Sequence, residues 1–335
     1  MDRETLKEHL KQTLRKMTLE EFASLFINET LAIEEFFKLC HNVNAGKTIS
    51  LLFNPHRLDI ITEASVTRTS NPMSIYASLS DEGNDEYTEK IDGLARLYLY
   101  NLEHGTANPF YCTIQRGYNG VAYVNEFPPF VARRIYNEYN AVRPKNLKVL
   151  DPCCGWGGRM IGCASIPNTT YVGCEPCTKT YEGLVKLGNW LKSLQPTFEF
   201  YISNCPYEEW NLQHDEDKNF DIALTSPPYY NTEHYTDEPS NSMNKYDTYE
   251  KWVDGFYRPL ITKTVSYLKP NGLFILNIGD RKYPLSDSMA QICESEGIAY
   301  KRTTDYLSGN GEAKEKFYCL SKADLAVTKK MQSLF

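Results

Sequence analysis

The periodicity of hydrophobic and polar positions differs between two parts of the chain. The first third has helical spacing, and the rest alternates between strand-like and helical patterns. Near the N-terminus, apolar residues recur at helical spacing at Leu6, Leu10 and Leu14, and again more densely from Leu19 to Leu39. This spacing predicts two helices that each bury one face. Beyond residue 145, short apolar runs alternate with helical periods, which is typical of a parallel sheet with crossover helices.

The apolar runs predict seven strands, and the last two flank Gly309-Asn310-Gly311, a hairpin turn signal. The predicted strands lie at about Leu147–Leu150, Thr170–Cys174, Phe198–Ile202, Phe220–Leu224, Leu273–Ile278, Ala299–Tyr306 and Lys316–Leu320. A helix is predicted from Tyr249 to Leu268 and a turn at Lys269-Pro270-Asn271-Gly272. We therefore expect an α/β domain over residues 106–335 and a mainly helical accessory region over residues 1–105.

A stiff segment, Thr225-Ser226-Pro227-Pro228-Tyr229-Tyr230, follows the fourth predicted strand. Consecutive prolines cannot donate to a sheet and have φ fixed near −65°, so the strand must stop at Ser226. In open α/β sheets, ligands bind at the carboxyl ends of the strands. There the Ser226 hydroxyl and the Pro227 carbonyl can accept hydrogen bonds from an NH2 group, and the Tyr229 ring can stack on a heteroaromatic ring.

The segment resembles the catalytic motif of the S-adenosylmethionine-dependent DNA amino-methyltransferases, which reads Asp, Asn or Ser, then Pro-Pro, then Tyr or Phe. The Ser-Pro-Pro-Tyr form is most similar to the cytosine-N4 branch, whereas Asp-Pro-Pro-Tyr is typical of the adenine-N6 branch. The resemblance implies a Rossmann-like seven-stranded methyltransferase sheet whose last strand inserts antiparallel. It also implies catalytic roles for Ser226, Pro227, Pro228 and Tyr229. A rigid corner with a packing tyrosine is the alternative that the motif alone leaves open.

A glycine loop, Asp151-Pro152-Cys153-Cys154-Gly155-Trp156-Gly157-Gly158-Arg159, follows the first strand of the predicted sheet. Glycine lets the backbone approach a ligand closely, and the acid that opens the loop suits a cation or an amine better than a phosphate. The loop resembles the methyltransferase pattern Asp-Pro-Phe-x-Gly-x-Gly, with Cys153 in place of Phe. The resemblance implies S-adenosylmethionine contacts at Asp151, Cys153, Gly155 and Gly157, with Trp156 as a wall of the cofactor site.

Further cofactor contacts are predicted on both sides of this loop. Glu175 ends the second strand about twenty residues later, which is the spacing of an acid that binds ribose hydroxyls, although a helix-initiating glutamate is the alternative. The resemblance assigns Asn204, or else Ser203, to the adenine amino group. It also assigns the turn at Phe127 and Pro128, with the helix that follows, to the methionine end of the cofactor; an ordinary proline-initiated helix is the alternative there.

The charge balance limits how the chain can meet nucleic acid. Its net charge is −7, which argues against a protein that coats DNA non-specifically and requires any nucleic-acid face to be confined. A local basic excess marks the best candidate for such a face: Arg133, Arg134, Arg143, Lys145 and Lys148.

Cysteine usage and hydropathy bear on metals and on location. The ten cysteines are scattered, and Cys174-Glu175-Pro176-Cys177 has no second pair at a usable distance, so we predict no metal site. No apolar run has the length of a membrane span, and the N-terminus lacks a signal pattern. We predict a cytoplasmic protein that does not bind membranes.

Together these features predict transfer of a methyl group from S-adenosylmethionine to the exocyclic amine of a base flipped out of duplex DNA, with cytosine N4 as the expected acceptor. Adenine N6, or guanine N2 in RNA, would keep the chemistry and change the substrate. A silent cofactor-binding subunit of a modification complex and a nicotinamide-dependent dehydrogenase are the other classes left open. The N-terminal helices are the expected docking face for a second copy or a partner subunit. The polar loop from Asn231 to Asp247 is expected either to fold over the base or to be a connector.

Overall fold

The structure, a computed structural model, describes residues 2–59, 61–62, 95, 98–100, 103–104, 126–140, 146–212, 217–280, 282–303 and 316–322. The chain divides into two compact units. The first takes residues 1–34, 48–125 and 233–235, and the second takes residues 35–47, 126–232 and 236–335. The predicted boundary between residues 105 and 106 lies outside the described residues, as does the predicted turn at Gly309-Asn310-Gly311.

Helices dominate the start of the described chain, and strands alternate with helices from residue 147 onward. The helices are α1 (Arg3–Lys16), α2 (Leu19–Ser24), α3 (Glu29–Cys40), α4 (Pro129–Asn140), α5 (Gly158–Ala164), α6 (Thr178–Leu194), α7 (Ser242–Lys245), α8 (Tyr249–Trp252), α9 (Arg258–Tyr267) and α10 (Leu285–Glu296). The strands are β1 (Ile61–Thr62), β2 (Leu147–Asp151), β3 (Thr169–Cys174), β4 (Glu199–Ser203), β5 (Phe220–Thr225), β6 (Glu233–His234), β7 (Leu268–Ile278), β8 (Ala299–Arg302) and β9 (Lys316–Ser321).

The N-terminal helices begin where polar side chains cap them. Asp2 accepts a hydrogen bond from the N–H of Thr5 at the start of α1, and Thr18 and Glu21 form a reciprocal capping box at the start of α2. The second helix predicted between Leu19 and Leu39 is divided in two, because Asn28 accepts from the N–H of Leu31 and so begins α3 anew. In the first unit, β1 pairs antiparallel with β6, a short strand taken from the loop that follows the Pro-Pro segment.

A mixed seven-stranded sheet forms the centre of the second unit, in the order β4-β3-β2-β5-β7-β9-β8. The first five of these strands run parallel, and β9 lies antiparallel between β7 and β8. Strand order reverses on either side of β2, which creates the crevice at the carboxyl edge where ligands bind in such sheets. The predicted fold class, a Rossmann-like seven-stranded sheet with a helical N-terminal region, is confirmed.

Two local features depart from the predicted elements. The predicted turn at 269–272 lies within β7 as a bulge, because Phe220 pairs with Leu268 whereas Ile222 pairs with Leu273. The predicted helix from Tyr249 to Leu268 forms, but it contains one wide turn at Val253–Tyr257, directly before the helix resumes with Pro259 near its start. A proline lacks the N–H that the regular helix would require, and a wide turn accommodates that loss.

Candidate active site

The Ser226-Pro227-Pro228-Tyr229 segment leaves β5 at the carboxyl edge of the sheet. Strand β5 is buried along its length and ends at Thr225, as the prolines require. Pro227 is buried, whereas the other three residues are half-buried. Among the described residues, none forms a hydrogen bond with the Ser226 hydroxyl or the Pro227 carbonyl. Both oxygens are therefore available as acceptors at this edge.

The neighbouring Tyr229 and Tyr230 differ in environment because the backbone turns sharply between them. Tyr230 has a φ of 55°, a left-handed conformation that is uncommon for residues with a side chain. Its ring is 8% exposed and packs edge-on against Tyr283, with 5.2 Å between ring centroids. Tyr229 borders the same apolar cluster but remains half-buried. Tyr229 thus stays the candidate for stacking, and Tyr230, to which the sequence assigned no role, anchors the turn.

The glycine loop lies beside the Pro-Pro segment, because β2 and β5 are parallel neighbours in the sheet. The N–H of Cys153 lies 3.2 Å from the Thr225 hydroxyl oxygen. Gly155 and Gly157 both have left-handed backbones, with φ of 54° and 97°. A Cβ added at Gly157 would lie 2.5 Å from a methyl group of Leu187 of α6, so another residue would strain the backbone and require that side chain or the loop to shift. The predicted loop and the predicted motif thus share one edge of the sheet.

Asp151, the last residue of β2, accepts hydrogen bonds on both of its carboxylate oxygens. Its Oδ1 accepts from the Thr225 hydroxyl at 2.8 Å and from the N–H of Cys153 at 3.2 Å, and its Oδ2 accepts from Arg159 Nε at 2.7 Å and from the Tyr171 hydroxyl. The side chain is fully buried and paired with a guanidinium. Both oxygens of this carboxylate are therefore engaged inside the protein, and its predicted contact with the cofactor stays a prediction. Its four contacts lie within the protein, where they join β2, β3, β5 and the start of α5.

Sequence reasoning missed the partners of this carboxylate. Arg159 lies in the first turn of α5, where a positive charge opposes the helix dipole. Burial is the largest single effect and lowers the pKa of Arg159, but the charge and hydrogen bond of Asp151, together with Tyr171 and Tyr136, raise that pKa on balance. The signal that could have revealed the pair is a cation at a helix start eight residues after a strand-end acid.

Glu175 and Asn204 meet where β3 and β4 end. The Asn204 side-chain amide donates to the backbone carbonyl of Glu175 at 3.0 Å, and Glu175 Oε1 accepts from the N–H of Cys177 at 2.9 Å. Burial raises the pKa of Glu175 to about 8, although hydrogen bonds from the N–H groups of Cys177 and Gly155 offset part of that effect. A buried carboxyl group with such a pKa gains from additional hydrogen-bond donors, such as the hydroxyls of a ribose.

The loop after the Pro-Pro segment is held against this edge. The Glu238 carboxylate accepts from the N–H of Thr178 at 3.0 Å and from its hydroxyl at 2.8 Å, at the first residue of α6. The Ser240 hydroxyl donates to the backbone carbonyl of Pro176 at 3.1 Å. Residues 236–246 therefore contact the segment that follows β3, which is the side predicted to bind the cofactor.

Phe127 and Pro128 lie next to the glycine loop, as the predicted cofactor contact requires. The Arg159 guanidinium lies 5.4 Å from the centroid of the Phe127 ring, and a Cβ at Gly158 would come within 2.1 Å of the Phe127 carbonyl oxygen. Pro128 is half-buried at the start of α4. Trp156 is only 7% exposed, so its ring is mostly packed inside the protein.

The three described residues of the predicted basic face do not together form a phosphate-binding strip. Arg133 is buried and donates to backbone carbonyls of Ser165 and Cys40. Arg134 is paired with Glu138 at 2.8 Å, and Lys148 lies near the start of β2, at the edge opposite the candidate site. Arg143 and Lys145 lie outside the described residues. The two arginines of α4 thus serve packing and a surface ion pair.

The described part of the chain contains neither a candidate metal-binding cluster nor a helix that could span a membrane. There, no group of three or more His, Cys, Asp or Glu side chains is arranged to hold a metal ion. Of the helices within the described ranges, none combines the length and the apolar character needed to cross a bilayer.

Comparisons with known proteins give similarity only at the level of structure. No family model matches the sequence, and no curated protein sequence matches it. A TehB-like SAM-dependent methyltransferase from Corynebacterium glutamicum ATCC 13032 is similar at 13% identity, over 72% of this chain and 100% of its own, with a TM-score of 0.38. The glycopeptide N-methyltransferase MtfA with S-adenosylmethionine gives 12% identity, 57% and 94% coverage and a TM-score of 0.41. Magnesium protoporphyrin IX methyltransferase from Synechocystis PCC 6803 with bound SAM is similar at 12% identity, over 57% of this chain and 78% of its own, with a TM-score of 0.39.

Proposed function

We propose that this protein transfers a methyl group from S-adenosylmethionine to the exocyclic amine of a nucleobase in DNA, with cytosine N4 as the expected acceptor. The observation that carries the proposal is the junction of the glycine loop and the Ser-Pro-Pro-Tyr segment. Thr225, the residue before Ser226, donates to the Asp151 carboxylate at 2.8 Å and accepts from the N–H of Cys153. Donor-binding and acceptor-binding segments thus meet at one crevice of the sheet.

The residues at this edge fit S-adenosylmethionine. Gly155 and Gly157 leave the backbone of the loop free of side chains, and Glu175 and Asn204 provide a buried carboxyl group and an amide at adjacent strand ends. We assign Glu175 to the ribose hydroxyls and Asn204 to the adenine. When bound, the cofactor supplies an electrophilic methyl group on a sulfonium.

The acceptor amine is oriented by the Pro-Pro segment. The Ser226 hydroxyl oxygen and the Pro227 carbonyl accept hydrogen bonds from the NH2 group, which directs the nitrogen lone pair toward the methyl group and raises electron density on nitrogen. The N–C bond forms as the C–S bond breaks, and the amine then gives one proton to solvent. Tyr229 stacks on the base, which must leave the duplex because a paired amine cannot reach the crevice. Positioning supplies most of the rate, and the reaction needs no covalent enzyme intermediate.

Nucleoside analysis tests this proposal directly. Unmodified duplex DNA and, in a parallel reaction, unmodified RNA are incubated with the protein and isotopically labelled S-adenosylmethionine and then digested. The nucleosides are examined by mass spectrometry for N4-methylcytosine and for other methylated bases. Labelled N6-methyladenine, or label only in RNA, would replace the expected acceptor. Cofactor binding without transfer to any nucleobase would overturn the enzymatic proposal in favour of a silent subunit.

The variant Ser226→Ala tests whether the motif contributes to methyl transfer without contributing to cofactor binding. We expect a loss of transfer of roughly 100-fold, the scale of removing one polar contact to a reacting group, with an unchanged cofactor dissociation constant. Ser266→Ala is the matched control, because Ser266 is exposed near the end of α9 and its hydroxyl bonds to the Lys263 carbonyl of the same helix. Full activity of Ser226→Ala would remove Ser226 from the catalytic set.

A further inference from the structure

Thr225 joins the two halves of the candidate site through a single hydroxyl. Its side chain is fully buried at the end of β5, and its Oγ1 donates to Asp151 Oδ1 at 2.8 Å. The same oxygen lies 3.2 Å from the N–H of Cys153 and accepts from it. One hydroxyl therefore bonds to the last residue of β2 and to the glycine loop at once.

Both backbone polar groups of Cys153 are hydrogen-bonded. Its N–H is shared between Thr225 Oγ1 and Asp151 Oδ1, both at 3.2 Å. Its carbonyl accepts from the Arg159 guanidinium. Because Arg159 is also bonded to Asp151, the loop is clamped to a buried ion pair. A shift of β5 relative to β2 would stretch the two hydrogen bonds of the Thr225 hydroxyl together.

We infer that Thr225 is a positioning residue that sets the distance between the methyl donor and the acceptor amine. This inference rests on the proposed function, since it gives the Thr225 hydroxyl a role in the same site. Thr225 touches neither ligand in this scheme. Its two hydrogen bonds fix its χ1 angle, and its own carbonyl carbon is bonded to the nitrogen of Ser226, so the clamp determines where the motif begins.

Loss of the Thr225 hydroxyl should affect turnover more than cofactor binding. The Cys153 N–H would keep Asp151 Oδ1 as an acceptor, so the glycine loop would stay folded and the cofactor would still bind. The link between the loop and Ser226 would be lost. A displacement of about 1 Å between reacting groups can cost about 100-fold in rate. The defect should therefore fall on turnover and spare cofactor affinity.

The test is Thr225→Val, which keeps the shape of the side chain and removes the hydroxyl. We expect the single-turnover rate of DNA methylation to fall at least about 10-fold, with the cofactor dissociation constant from calorimetry changed less than about 3-fold. Thr225→Ser, which restores the hydroxyl, should recover most of the rate. Thr264→Val is the matched control, because Thr264 is also fully buried and bonds through its hydroxyl to Tyr207 at 3.0 Å.

Hydrogen exchange gives a readout that does not depend on transfer. The Cys153 amide, which loses one of its two acceptors, should exchange faster in Thr225→Val than in the wild-type chain, and Thr264→Val should leave its exchange rate unchanged. An unchanged rate of methylation in Thr225→Val, or a loss fully explained by weaker cofactor binding, would overturn the inference. If the wild-type chain methylates no nucleobase, the proposed function fails, and unchanged Cys153 exchange in Thr225→Val would separately show that no clamp exists.

Discussion

At the scale of single residues, two acids at neighbouring strand ends have different surroundings and different chemistry. Asp151 receives a guanidinium and two hydroxyl groups, so its charge is compensated inside the protein. Glu175 receives backbone N–H groups, and burial raises its pKa to about 8. Spacing in the sequence placed both at the correct edge. Only the structure shows that Asp151 is bonded to Arg159, Tyr171 and Thr225, because two of these partners come from distant segments of the chain.

The raised pKa of Glu175 predicts how stability changes with pH. The ordinary pKa of a glutamate is 4.5, and that of folded Glu175 is about 8. Between these two pH values, the folded protein keeps a proton on Glu175 that the unfolded chain has released. Folding therefore takes up a proton, and the free energy of unfolding contributed by Glu175 must fall as pH rises through this range. Relative to Glu175→Gln, we expect the wild-type chain to lose up to about 1.4 kcal/mol per pH unit. Urea denaturation of both proteins between pH 5.5 and 8.5 measures this change in the free energy of unfolding.

Glu182→Gln is the control for this experiment, since Glu182 lies exposed on α6 and its replacement removes one negative charge elsewhere. The difference between wild type and Glu182→Gln should not follow the pH dependence seen with Glu175→Gln. A constant difference between wild type and Glu175→Gln across the range would show that this carboxyl is ionised throughout.

At the scale of elements, the sequence predicted strands better than caps and loops. Buried parallel strands are nearly continuous apolar runs, so β5 and β7 could be located from composition alone. Helix α6 was also predictable, but its cap was not. The residue at its N-cap, Cys177, provides no side-chain hydrogen bond. The N–H of Thr178 is bonded instead to Glu238, sixty residues after Thr178 in the chain. A cap supplied across such a separation leaves no local pattern.

This distant cap predicts a measurable contribution to stability. Glu238→Ala should lower the free energy of unfolding by about 1 kcal/mol, because the N–H of Thr178 loses its acceptor and the helix dipole loses a nearby negative charge. The Thr178 amide should then exchange faster with solvent, as measured by hydrogen-exchange mass spectrometry or NMR.

Glu238→Gln separates the hydrogen bond from the charge, since the amide oxygen can still accept a hydrogen bond while the charge is gone. We expect a smaller loss than for alanine. Equal stability of the alanine variant and the wild type would mean that the contact between the loop and α6 contributes nothing measurable in solution.

At the scale of the whole molecule, the seven-stranded sheet and the meeting of the two motifs were predicted, whereas the electrostatics of the surface were not. The basic excess near Arg133 suggested a phosphate-binding face, yet in the structure Arg133 is a buried packing residue. Periodicity shows which face of a helix is apolar, but it does not show which arginine is paired internally. Several other cations of the second unit also carry acidic partners: Lys245 with Glu208 and Glu209, Arg258 with Glu296, Lys269 with Asp221, and Lys316 with Asp280.

This pairing, with a net charge of −7, predicts that DNA binding by the whole chain depends only weakly on salt. Each phosphate neutralised by a cation adds about 0.9 to the slope of log affinity against log salt, so we expect a slope no steeper than about −3. Lys282 is exposed, and its Nζ lies 3.2 Å from Asn231 Oδ1, just beyond the motif. Under the proposed function, a DNA phosphate would lie near this cation. Fluorescence anisotropy with a labelled duplex over a range of salt concentrations measures the slope.

Lys282→Ala should make that slope shallower by about 1. Lys186→Ala is the matched control, because Lys186 is exposed on α6 and its loss changes the net charge equally. If long-range attraction by net charge governed binding, the two variants would change the slope alike; if a local phosphate contact governs it, only Lys282→Ala will. A wild-type slope of about −6 or steeper would require an extended cationic surface, and would contradict the confined face that the paired cations of the second unit indicate.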